Sequence, residues 1–586
     1  MTSQDQTETD DNRLTGAQAF WAALEREGVD VVFGYPGGAI MPIYDAILKF
    51  PIRHVLCRHE QSAAHMADGY ARSSGKVGVC IATSGPGATN LVTGIATAML
   101  DSVPMVAITG QVPSHLIGTD AFQETDITGV TLPITKHNYL VTRAEDIMPT
   151  IREAFYVARS GRPGPVVVDI TKDAQQGSCE RHEAKGAVRL PGYRPVYQAE
   201  PWQLEEAVRM IDEAERPLIL AGHGIVRAAA SGLLKELVEK ADIPVACTLL
   251  GLGGFPATHH RNLGMMGMHG EAWVNEAIQQ ADLLIALGMR FDDRVTGNLQ
   301  TYAPNAKKIH VEIDPAEVNK NVRVELALLA ELGDVLAHLI PHVAEKQRTA
   351  WIEQIESSKG DSAVRDIKSI PDNGKLYAAH VIHDLYRLTE GKALVVTDVG
   401  QHQMWEAQYY KHDFPRKLLT SGGLGTMGFA LPAAMGARFG RPQENIWVVA
   451  GDGGFQMTAA ELSTCVQEKI KVNIAIINNG YLGMVRQWQQ FFFEGRYVAT
   501  PIVSPDFVKL AEAHGLKGLR VERRADVASA VAEAESSEES VVVDFRVEQE
   551  DSVYPMVPSG NDLDNMIRRP APLGLEHNPI YETAGD

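Results

Sequence analysis

The 586-residue chain lacks the features that mark several common protein classes. Its five cysteines are scattered and form no C-x-x-C pair, which predicts reduced thiols in a cytosolic protein and argues against a zinc site. No run of about 18 apolar residues is present, so no membrane span is expected. Lysine and arginine number 54 against 74 acidic residues, and the net charge of −20 argues against nucleic-acid binding.

The chain also begins without a recognisable targeting segment. Residues 1–13 are polar and acidic, with neither the apolar core of a signal peptide nor the arginine-rich composition of a transit peptide. We therefore expect a disordered leading tail on a cytoplasmic protein. The length predicts about three to four domains, and an apolar content of 45% is sufficient for sizeable cores.

Three segments alternate short apolar runs with helical stretches, which predicts an α/β protein with three doubly wound parallel-sheet domains. The segments are expected at 13–180, 201–345 and 373–550, with polar connections at 181–200 and 345–368 and an extended C-terminal tail at 551–586. Strands are predicted at 31–33, 77–82, 105–108 and 165–169 in the first segment, at 217–221, 243–248, 283–287 and 308–313 in the second, and at 393–397, 446–450, 472–477 and 540–545 in the third.

Two polar clusters follow strands of the third segment. Gly451-Asp452-Gly453 comes after the strand at 446–450, and Asn478-Asn479 comes after the strand at 472–477. Ligands bind at the carboxyl ends of the strands in open α/β sheets. Carboxylate, amide and carbonyl oxygens suit magnesium, and glycines and a helix start let main-chain N–H groups approach a diphosphate. An ordinary turn with a solvent-facing aspartate is the alternative, and the paired asparagines argue against it.

The spacing of these two clusters resembles the thiamine diphosphate signature, in which GDG is followed about 25 residues later by NN. The resemblance implies that Asp452, the side-chain oxygen of Asn479 and the main-chain carbonyl of Tyr481 hold Mg²⁺. Thiamine diphosphate chemistry also needs a carboxyl group against the aminopyrimidine. Glu60 opens a predicted helix directly after a probable strand at 54–58. By itself, an acidic residue in a first helical turn is explained by the helix dipole.

Longer motifs around these residues resemble one family, the catalytic subunits of acetohydroxyacid synthase (acetolactate synthase). The resemblance covers about residues 14–560. The motifs are FGYPGGAIMPIYDA at 33–46, RHEQSAAHMADGYAR at 58–72, TSGPGATN at 83–90, FQETDI at 122–127, SGRPGPV at 160–166, GMHG at 267–270, RFDDRVTGN at 290–298, SGGLGTMGFALPAA at 421–434, GDGGFQM at 451–457 and GMVRQWQ at 483–489.

The resemblance implies a transferase of branched-chain amino acid biosynthesis. Its members decarboxylate pyruvate on thiamine diphosphate and ligate the two-carbon unit to pyruvate or 2-ketobutyrate, giving 2-acetolactate or 2-aceto-2-hydroxybutyrate. The three segments would then be a pyrimidine-binding, a central FAD-binding and a diphosphate-binding domain. The implied assembly is a homodimer or tetramer in which two subunits build each site, with a separate small regulatory subunit.

The resemblance also assigns residues to the reaction. Glu60 corresponds to the glutamate that exchanges a proton with the aminopyrimidine, and Gln123 lines the thiazolium side. Arg294 would bind the carboxylate of the second keto acid, for which a fork of N–H donors is suited; a flavin contact or surface salt bridge is the alternative. Trp488 would form the wall that favours an ethyl over a methyl group, with core packing beside residues 491–493 as the alternative.

Two further sets match the family's cofactor motifs. The thiamine diphosphate set, in which Met427 resembles the residue that keeps the cofactor bent, is Gly38, Gln401, His402, Gly425, Met427, Gly453, Gly454 and Met484. The FAD set is Arg162, Gly222, Gly224, Thr248, Leu249, Gly267, Met268, His269, Arg290, Asp292, Glu312, Ile313 and Asp334. One departure is His223, which stands where the family often has glycine. Because acetolactate formation transfers no net electrons, a structural role is expected for the FAD.

Three alternative functions would share part of this pattern of motifs. A pyruvate oxidase-type thiamine and FAD oxidoreductase would share Glu60 and the flavin motifs, but the sequences at 290–298 and 483–489 argue against it. A catabolic acetolactate synthase would work without FAD, so a yellow purified protein would exclude it. A non-catalytic scaffold would have no need of Glu60, Asp452 and Asn479.

Overall fold

A computed structural model describes residues 13–181, 186–195, 197–359, 370 and 373–570. The described chain forms two compact units. The first comprises the described residues of Met1–Pro195 with Met435–Pro442, and the second comprises those of Val196–Ala434 and Gln443–Asp586. Within the described ranges, no helix has both the length and the apolar character that a bilayer span requires.

The first unit contains eight strands and eight helices in its described part of Met1–Pro195. In chain order they are β1 Arg13–Thr15, α1 Gly16–Arg26, β2 Val31–Gly34, α2 Met41–Ala46, β3 Arg53–Leu56, α3 Glu60–Ser74, β4 Gly78–Ala82, α4 Pro86–Asn90, α5 Val92–Leu100, β5 Met105–Gln111, α6 Ile127–Thr131, β6 His137–Val141, α7 Ala144–Arg159, β7 Pro165–Thr171, α8 Lys172–Gln176 and β8 Ser178–Glu180.

Six of these strands form a parallel sheet in the order β3-β2-β4-β5-β7-β6, and β1 pairs with β8 separately. β4, β5 and β7 are buried along their whole length, as expected for strands with helices on both faces. The chain order reverses between β2 and β4. Loops after these two strands therefore diverge and leave a crevice at the carboxyl edge of the sheet.

The second unit carries two further sheets. Its elements, with residues 435–440 of α18 assigned to the first unit, are α9 Pro201–Glu213, β9 Pro217–Ala221, α10 His223–Arg227, α11 Ser231–Ala241, β10 Val245–Cys247, β11 Asn262–Met265, α12 Ala272–Gln280, β12 Leu283–Leu287, α13 Asp293–Thr296, β13 Lys307–Glu312, β14 Leu326–Leu329, α14 Leu332–His342, α15 Thr349–Ser358, α16 Ala378–Leu388, β15 Leu394–Thr397, α17 Gln401–Tyr409, β16 Leu418–Thr420, α18 Ala430–Gly440, β17 Ile446–Gly451, α19 Asp452–Thr458, α20 Leu462–Glu468, β18 Asn473–Asn478, α21 Gly483–Phe492, α22 Phe507–Ala513, β19 Lys517–Val521, α23 Val527–Ser536 and β20 Val541–Arg546.

Both sheets of the second unit are parallel and six-stranded. One has the order β11-β10-β9-β12-β13-β14, and the other has the order β16-β15-β17-β18-β20-β19. The chain order reverses between β9 and β12 in the first of these, and between β15 and β17 in the second. Each reversal is a position where α/β sheets bind ligands, at the carboxyl ends of the strands. The predicted fold class, three doubly wound parallel sheets, is confirmed.

The described end of the chain, residues 551–570, has no helix or strand and packs within the second unit. Met556 and Ile567 pair as an antiparallel bridge. Six of its apolar side chains are buried: Val553, Tyr554, Met556, Val557, Leu563 and Met566. This part of the predicted tail therefore belongs to the hydrophobic core, and the rest of the tail lies outside the described residues.

Candidate active site

A cavity opens at the carboxyl edge of the third sheet, where β15 and β17 diverge. It collects residues from the ends of β15, β17 and β18 and from the starts of α17, α19 and α21. Its lining is Val399, Gly400, Gln401, His402, Trp405, Met427, Gly451, Asp452, Gly453, Gly454, Ile477, Asn479, Tyr481, Leu482, Gly483, Met484 and Val485. The three predicted magnesium ligands are thus in one cavity, together with six of the eight predicted thiamine diphosphate residues.

Asp452 is the first residue of α19 and is almost completely buried. Its Oδ2 accepts a hydrogen bond of 2.8 Å from the Ser504 hydroxyl. Burial raises the pKa of this carboxyl to about 6, against the lowering effect of Ser504 and nearby main-chain N–H groups. A cation in the cavity would stabilise the ionised form, since an opposite charge favours the charged state of a carboxyl.

The two asparagines at the end of β18 have different partners. Asn478 Nδ2 donates to Asp544 Oδ1 on the neighbouring strand β20 at 2.8 Å, so this side chain stabilises the sheet. Asn479 faces the cavity, where its Nδ2 donates to Gln401 Oε1 at 3.2 Å and its Oδ1 accepts the Tyr481 N–H at 3.1 Å. β18 ends at Asn478, which therefore still pairs within the sheet, whereas Asn479 is the first residue after the strand and lines the cavity.

His402 packs under the Gly-Asp-Gly turn. Burial lowers its pKa to about 3, so the ring is neutral, and its Nε2 accepts the Gly451 N–H at 3.2 Å. A Cβ at Gly451 would lie 2.8 Å from the His402 ring. Glycine at this position therefore allows His402 to contact the turn, and the ring holds the turn in place.

Asp398, which the sequence analysis did not single out, fixes the other wall of the cavity. It follows β15 as Asp452 follows β17, and its Oδ1 accepts the N–H groups of Val399 at 2.7 Å and Gly428 at 2.9 Å. Burial raises its pKa to about 6. A Cβ at Gly454 would lie 2.9 Å from its carboxyl carbon. Its position directly after a predicted strand was the sequence signal that would have identified it.

Gly425 and Trp488 lie outside the cavity lining. Gly425 is exposed in the loop before α18, where its φ of 69° requires the left-handed conformation that glycine adopts most readily. Trp488 is half-buried on α21, with its ring 5.2 Å from that of Phe492.

The first unit has its own cluster at the crevice between β2 and β4. Glu60 begins α3 and accepts a hydrogen bond of 2.9 Å from Asn90 Nδ2. A Cβ at Gly87 would lie 3.3 Å from Glu60 Oε1, and a Cβ at Gly85 would lie 2.8 Å from the Gln123 carbonyl oxygen. The segment at 83–90, which includes α4, therefore lies against both predicted catalytic residues. Gly38, with open space around its α-carbon, sits in the loop after β2.

Thr83 also belongs to this cluster and was not singled out by the sequence analysis. Its hydroxyl is buried and finds no hydrogen-bond partner among the described residues. It lies 2.7 Å from a Cβ placed on Gly37, within the crevice. A buried hydroxyl without a partner is unusual in a folded protein, so this oxygen is suited to a polar ligand.

Most of the predicted flavin residues surround the crevice between β9 and β12. Gly222 and Gly224, which follow β9, pack closely on Gly288, which follows β12. A Cβ at Gly222 would lie 2.3 Å from the Gly288 carbonyl oxygen, and a Cβ at Gly224 would lie 2.6 Å from the Gly288 Cα. Thr248 and Leu249 follow β10, and the Thr248 hydroxyl accepts the Gly251 N–H at 3.0 Å. These positions suit a dinucleotide, which binds where sheet order reverses.

The motifs after β11 and β12 contact each other. The Met268 N–H donates to the Arg294 carbonyl at 2.8 Å, and Arg294 Nη1 lies 3.3 Å from Met268 Sδ. Asp292 caps α13 by accepting the Arg294 N–H at 3.1 Å. Burial raises the pKa of Asp292, and the positive charge of Arg290, 3.6 Å away, acts to lower it. More than half of the Arg294 side chain is exposed, so its guanidinium is accessible to a ligand.

The other predicted flavin residues have varied surroundings. Glu312 Oε1 accepts the Ile313 N–H at 2.8 Å at the end of β13. Asp334 is exposed in the first turn of α14. His269 is buried, and its carbonyl accepts a hydrogen bond from Gln408. Gly267 also follows β11, with a φ of 96°. Arg162 belongs to the first unit, where its Nε donates to Ser102 Oγ at 2.8 Å.

Comparison with known proteins assigns the three sheets to one enzyme group. Models of the thiamine pyrophosphate enzyme N-terminal TPP binding domain, central domain and C-terminal TPP binding domain match residues 14–130, 204–339 and 398–545. The chain is 49% identical over 567 residues to the acetolactate synthase large subunit IlvB1 of Mycobacterium tuberculosis, covering 94% of this chain and 91% of that protein. The chain belongs to the acetolactate synthase large-subunit family.

Two other organisms carry similar proteins of this family. An acetolactate synthase large subunit of Corynebacterium glutamicum is 49% identical over 559 residues, covering 94% of this chain and 89% of that protein. A probable acetolactate synthase large subunit of Methanocaldococcus jannaschii is 45% identical over 564 residues, covering 95% of each. The recognition made from the sequence motifs is therefore confirmed.

Membership in the acetolactate synthase family makes thiamine diphosphate the cofactor of this protein. The cavity fits its diphosphate end, because a carboxylate, an amide and the main chain of Tyr481 line one wall and glycines leave room for close backbone approach. The crevice of the first unit fits a hydrogen-bonding ring, because it offers the Glu60 carboxyl and the buried Thr83 hydroxyl.

Proposed function

We propose that the protein is the catalytic subunit of an acetolactate synthase. It would decarboxylate pyruvate and join the two-carbon unit to pyruvate or 2-ketobutyrate, the first common step of valine, leucine and isoleucine biosynthesis. The observation that carries the proposal is the conjunction of family membership with one cavity containing Asp452, Asn479 and Tyr481 at a sheet switch point. Thiamine diphosphate supplies the carbanion chemistry when bound.

The residues of the chain bind and orient the cofactor. Asp452, Asn479 Oδ1 and the Tyr481 carbonyl would hold Mg²⁺, whose other coordination positions suit phosphate and water oxygens. Asn90 orients the Glu60 carboxyl through its hydrogen bond to Oε2. Glu60 Oε1 would then hold and return the proton of the aminopyrimidine nitrogen, which is general acid–base catalysis by a positioned carboxyl.

We also propose that the second unit binds FAD without a redox role. The close packing of the loops after β9 and β12 supports a dinucleotide in that crevice. The net reaction transfers no electrons, so the flavin would stabilise the fold around Met268 and Arg294. A pyruvate oxidase-type enzyme would instead reduce the flavin at the catalytic rate.

Arg294 and Trp488 are the residues proposed to bind the second keto acid. The exposed guanidinium of Arg294 offers paired N–H donors to the incoming carboxylate. Trp488, one turn beyond the cavity residue Met484 on α21, would provide the apolar wall against the alkyl group. One methylene in an apolar pocket is worth about 1–3 kcal/mol, which corresponds to about 10–200-fold discrimination.

A dimer is proposed as the minimum active assembly, with Glu60 of one copy and Asp452 of the other serving one cofactor. Both sites have exposed apolar side chains nearby, with Val503 99% and Val485 50% exposed in the second unit and Phe122 88% exposed in the first. Clusters of exposed apolar groups mark interaction surfaces. A tetramer, a separate regulatory subunit and a cytoplasmic location are proposed from the family resemblance.

The proposed domain limits are 13–180 for the pyrimidine-binding domain, 201–345 for the FAD-binding domain and 373–550 for the diphosphate-binding domain, followed by a tail at 551–586.

The direct test of the proposed activity is to incubate the full chain with pyruvate, Mg²⁺ and thiamine diphosphate and to identify the product. We expect 2-acetolactate with one carbon dioxide per product molecule, and both acetolactate and 2-aceto-2-hydroxybutyrate when 2-ketobutyrate is added. Oxidative decarboxylation with flavin reduction would contradict the proposal.

A further inference from the structure

Two adjacent polar side chains of α21, Arg486 and Gln487, are fully buried although neither lines the cavity. A buried polar group is stable only when it has hydrogen-bond partners. Arg486 Nη2 donates to the Asp551 carbonyl at 2.8 Å, and Gln487 contacts the main chain of Val553. Both therefore connect α21 to the segment at 551–553.

The Gln487 amide both accepts a hydrogen bond from the Val553 main chain and donates one to it. The Val553 N–H donates to Gln487 Oε1 at 2.8 Å, and Gln487 Nε2 donates to the Val553 carbonyl at 3.1 Å. A main-chain N–H only donates and a carbonyl only accepts, so this pair fixes which end of the Gln487 amide is the oxygen.

The same oxygen continues the chain of hydrogen bonds to the cavity. Gln487 Oε1 also accepts Gln401 Nε2 at 2.9 Å, and Gln401 Oε1 accepts Asn479 Nδ2 at 3.2 Å. Gln401 Nε2 donates in addition to the Asp551 carbonyl at 3.1 Å. Each amide thus has its nitrogen directed at the oxygen of the next, from Asn479 to Gln401 to Gln487.

This order has a consequence at the proposed magnesium ligand. With its nitrogen directed at Gln401, Asn479 must present Oδ1 on the other side, where the Tyr481 N–H also contacts it at 3.1 Å. A cation needs the amide oxygen, and an amide turned over would present N–H groups to it instead. Two restraints therefore hold the Asn479 amide in this orientation: the Tyr481 N–H on its oxygen, and, on its nitrogen, the chain through Gln401 and Gln487 to the main chain of Val553.

We propose that Gln487 is a positioning residue for the magnesium site: it holds Gln401, and through it Asn479, in the orientation that presents the Asn479 oxygen to the cation. This inference rests on the proposed thiamine diphosphate and Mg²⁺ site. Loss of Gln487 also releases Val553, two residues from the second acceptor of Gln401 at Asp551, so both restraints on Gln401 weaken together.

The test is calorimetric binding of thiamine diphosphate to the full chain at a series of Mg²⁺ concentrations, with the parent chain and Gln487→Met. Methionine retains the length of the side chain and removes the amide. The loss of an ordered hydrogen-bond chain of this kind predicts a rise of about tenfold in the Mg²⁺ concentration for half-maximal binding.

Gln490→Met is the matched control. Gln490 lies on the same helix and accepts hydrogen bonds from Arg486 and Ser552, so it also contacts the segment at 551–553, but it makes no bond to Gln401. Its Mg²⁺ requirement should stay within about twofold of the parent chain. The melting temperatures of both variants without ligand should be compared with that of the parent chain. If these residues had a purely structural role, both substitutions would lower the melting temperature without changing the Mg²⁺ dependence of binding.

If Gln487→Met does not fold, Gln487→Asn replaces it, since an amide shorter by one methylene does not span Val553 and Gln401 together; the same rise is expected. An unchanged Mg²⁺ requirement in the folded variant would overturn the inference alone. No binding of thiamine diphosphate by the parent chain would overturn the inference and the proposed function together, so the two failures are distinguishable.

Discussion

A buried carboxyl in the first unit makes stability depend on pH in a way that one substitution should remove. Asp169 on β7 is almost completely buried, and burial raises its pKa from an ordinary value of 3.8 to about 7. Its oxygens contact the Thr109 hydroxyl at 2.7 Å and Gln111 Nε2 at 2.9 Å. Gln111 Nε2 also holds the Thr125 carbonyl at 2.8 Å, in the loop that carries Gln123.

The sign of the effect follows from proton binding. The folded state holds the Asp169 proton more tightly than the unfolded chain, so this group lowers the free energy of unfolding as pH rises from about 4 to about 7, and adds no further change above that. A pKa of about 7 against 3.8 corresponds to at most about 4 kcal/mol. Asparagine reproduces the neutral carboxyl, because its oxygen accepts from Gln111 and its nitrogen donates to Thr109.

The prediction is that Asp169→Asn stabilises the first unit most above about pH 7. Hydrogen exchange of peptides from β5 and β7 should be slower in the variant than in the parent chain by between about tenfold and a thousandfold at about pH 8, and the difference should shrink towards about pH 4. Comparison at equal pH removes the intrinsic pH dependence of exchange. Equal protection of parent and variant at about pH 8 would refute the reasoning.

Asp173 supplies a control of opposite sign. Although desolvation acts to raise it, the pKa of Asp173 is lowered to about 2, with the Ser114 hydroxyl and main-chain N–H both donating to the carboxylate. Its contribution to stability is therefore present above about pH 4 and is lost as the pH falls through about 2. Asp173→Asn should speed exchange at neutral pH, whereas Asp169→Asn should slow it.

Three further predictions concern the proposed activity. Glu60→Gln should lower the rate of acetolactate formation by about 10²–10⁴-fold while thiamine diphosphate and FAD remain bound, with the exposed Glu25→Gln as control; full activity would remove the proton-transfer role. Trp488→Leu should lower the preference for 2-ketobutyrate by up to about tenfold in a competition assay, and an unchanged product ratio would argue against that wall. Gly222→Ala should lose flavin absorbance, because the added Cβ would lie 2.3 Å from the Gly288 carbonyl oxygen; a fully yellow variant would contradict the proposed crevice.

The sequence predicted strands better than helices and ligand-facing side chains. The expected strands at 217–221 and 283–287 agree with β9 Pro217–Ala221 and β12 Leu283–Leu287, because buried parallel strands are continuous apolar runs between turn residues. Helix bounds were less evident: after β17 the chain forms α19 from Asp452, and a 3₁₀ turn at Ala459–Glu461 separates it from α20. The connection at 345–368 contains α15, Thr349–Ser358, and its residues from 360 lie outside the described chain.

Side-chain direction was the harder property to predict. Paired Asn478 and Asn479 pointed correctly to the end of β18, but the sequence did not show that the strand ends between them, with Asn478 bonded within the sheet and Asn479 in the cavity. Asp398 directly follows a predicted strand, so its position was a signal that the sequence analysis overlooked. Gln487 escaped notice because its role depends on a partner at Val553, which is distant in sequence and becomes a neighbour only in the folded chain.

The central claim, that two copies of this chain build each active site, is tested most directly by complementation. Glu60→Gln and Asp452→Ala, each inactive alone, would be co-expressed in equal amounts and assayed for 2-acetolactate. Random pairing makes half of the dimers mixed, and each mixed dimer has one intact site if Glu60 and Asp452 come from different copies, so about a quarter of the parent activity should return. Mixed dimers that form and stay inactive would contradict the account.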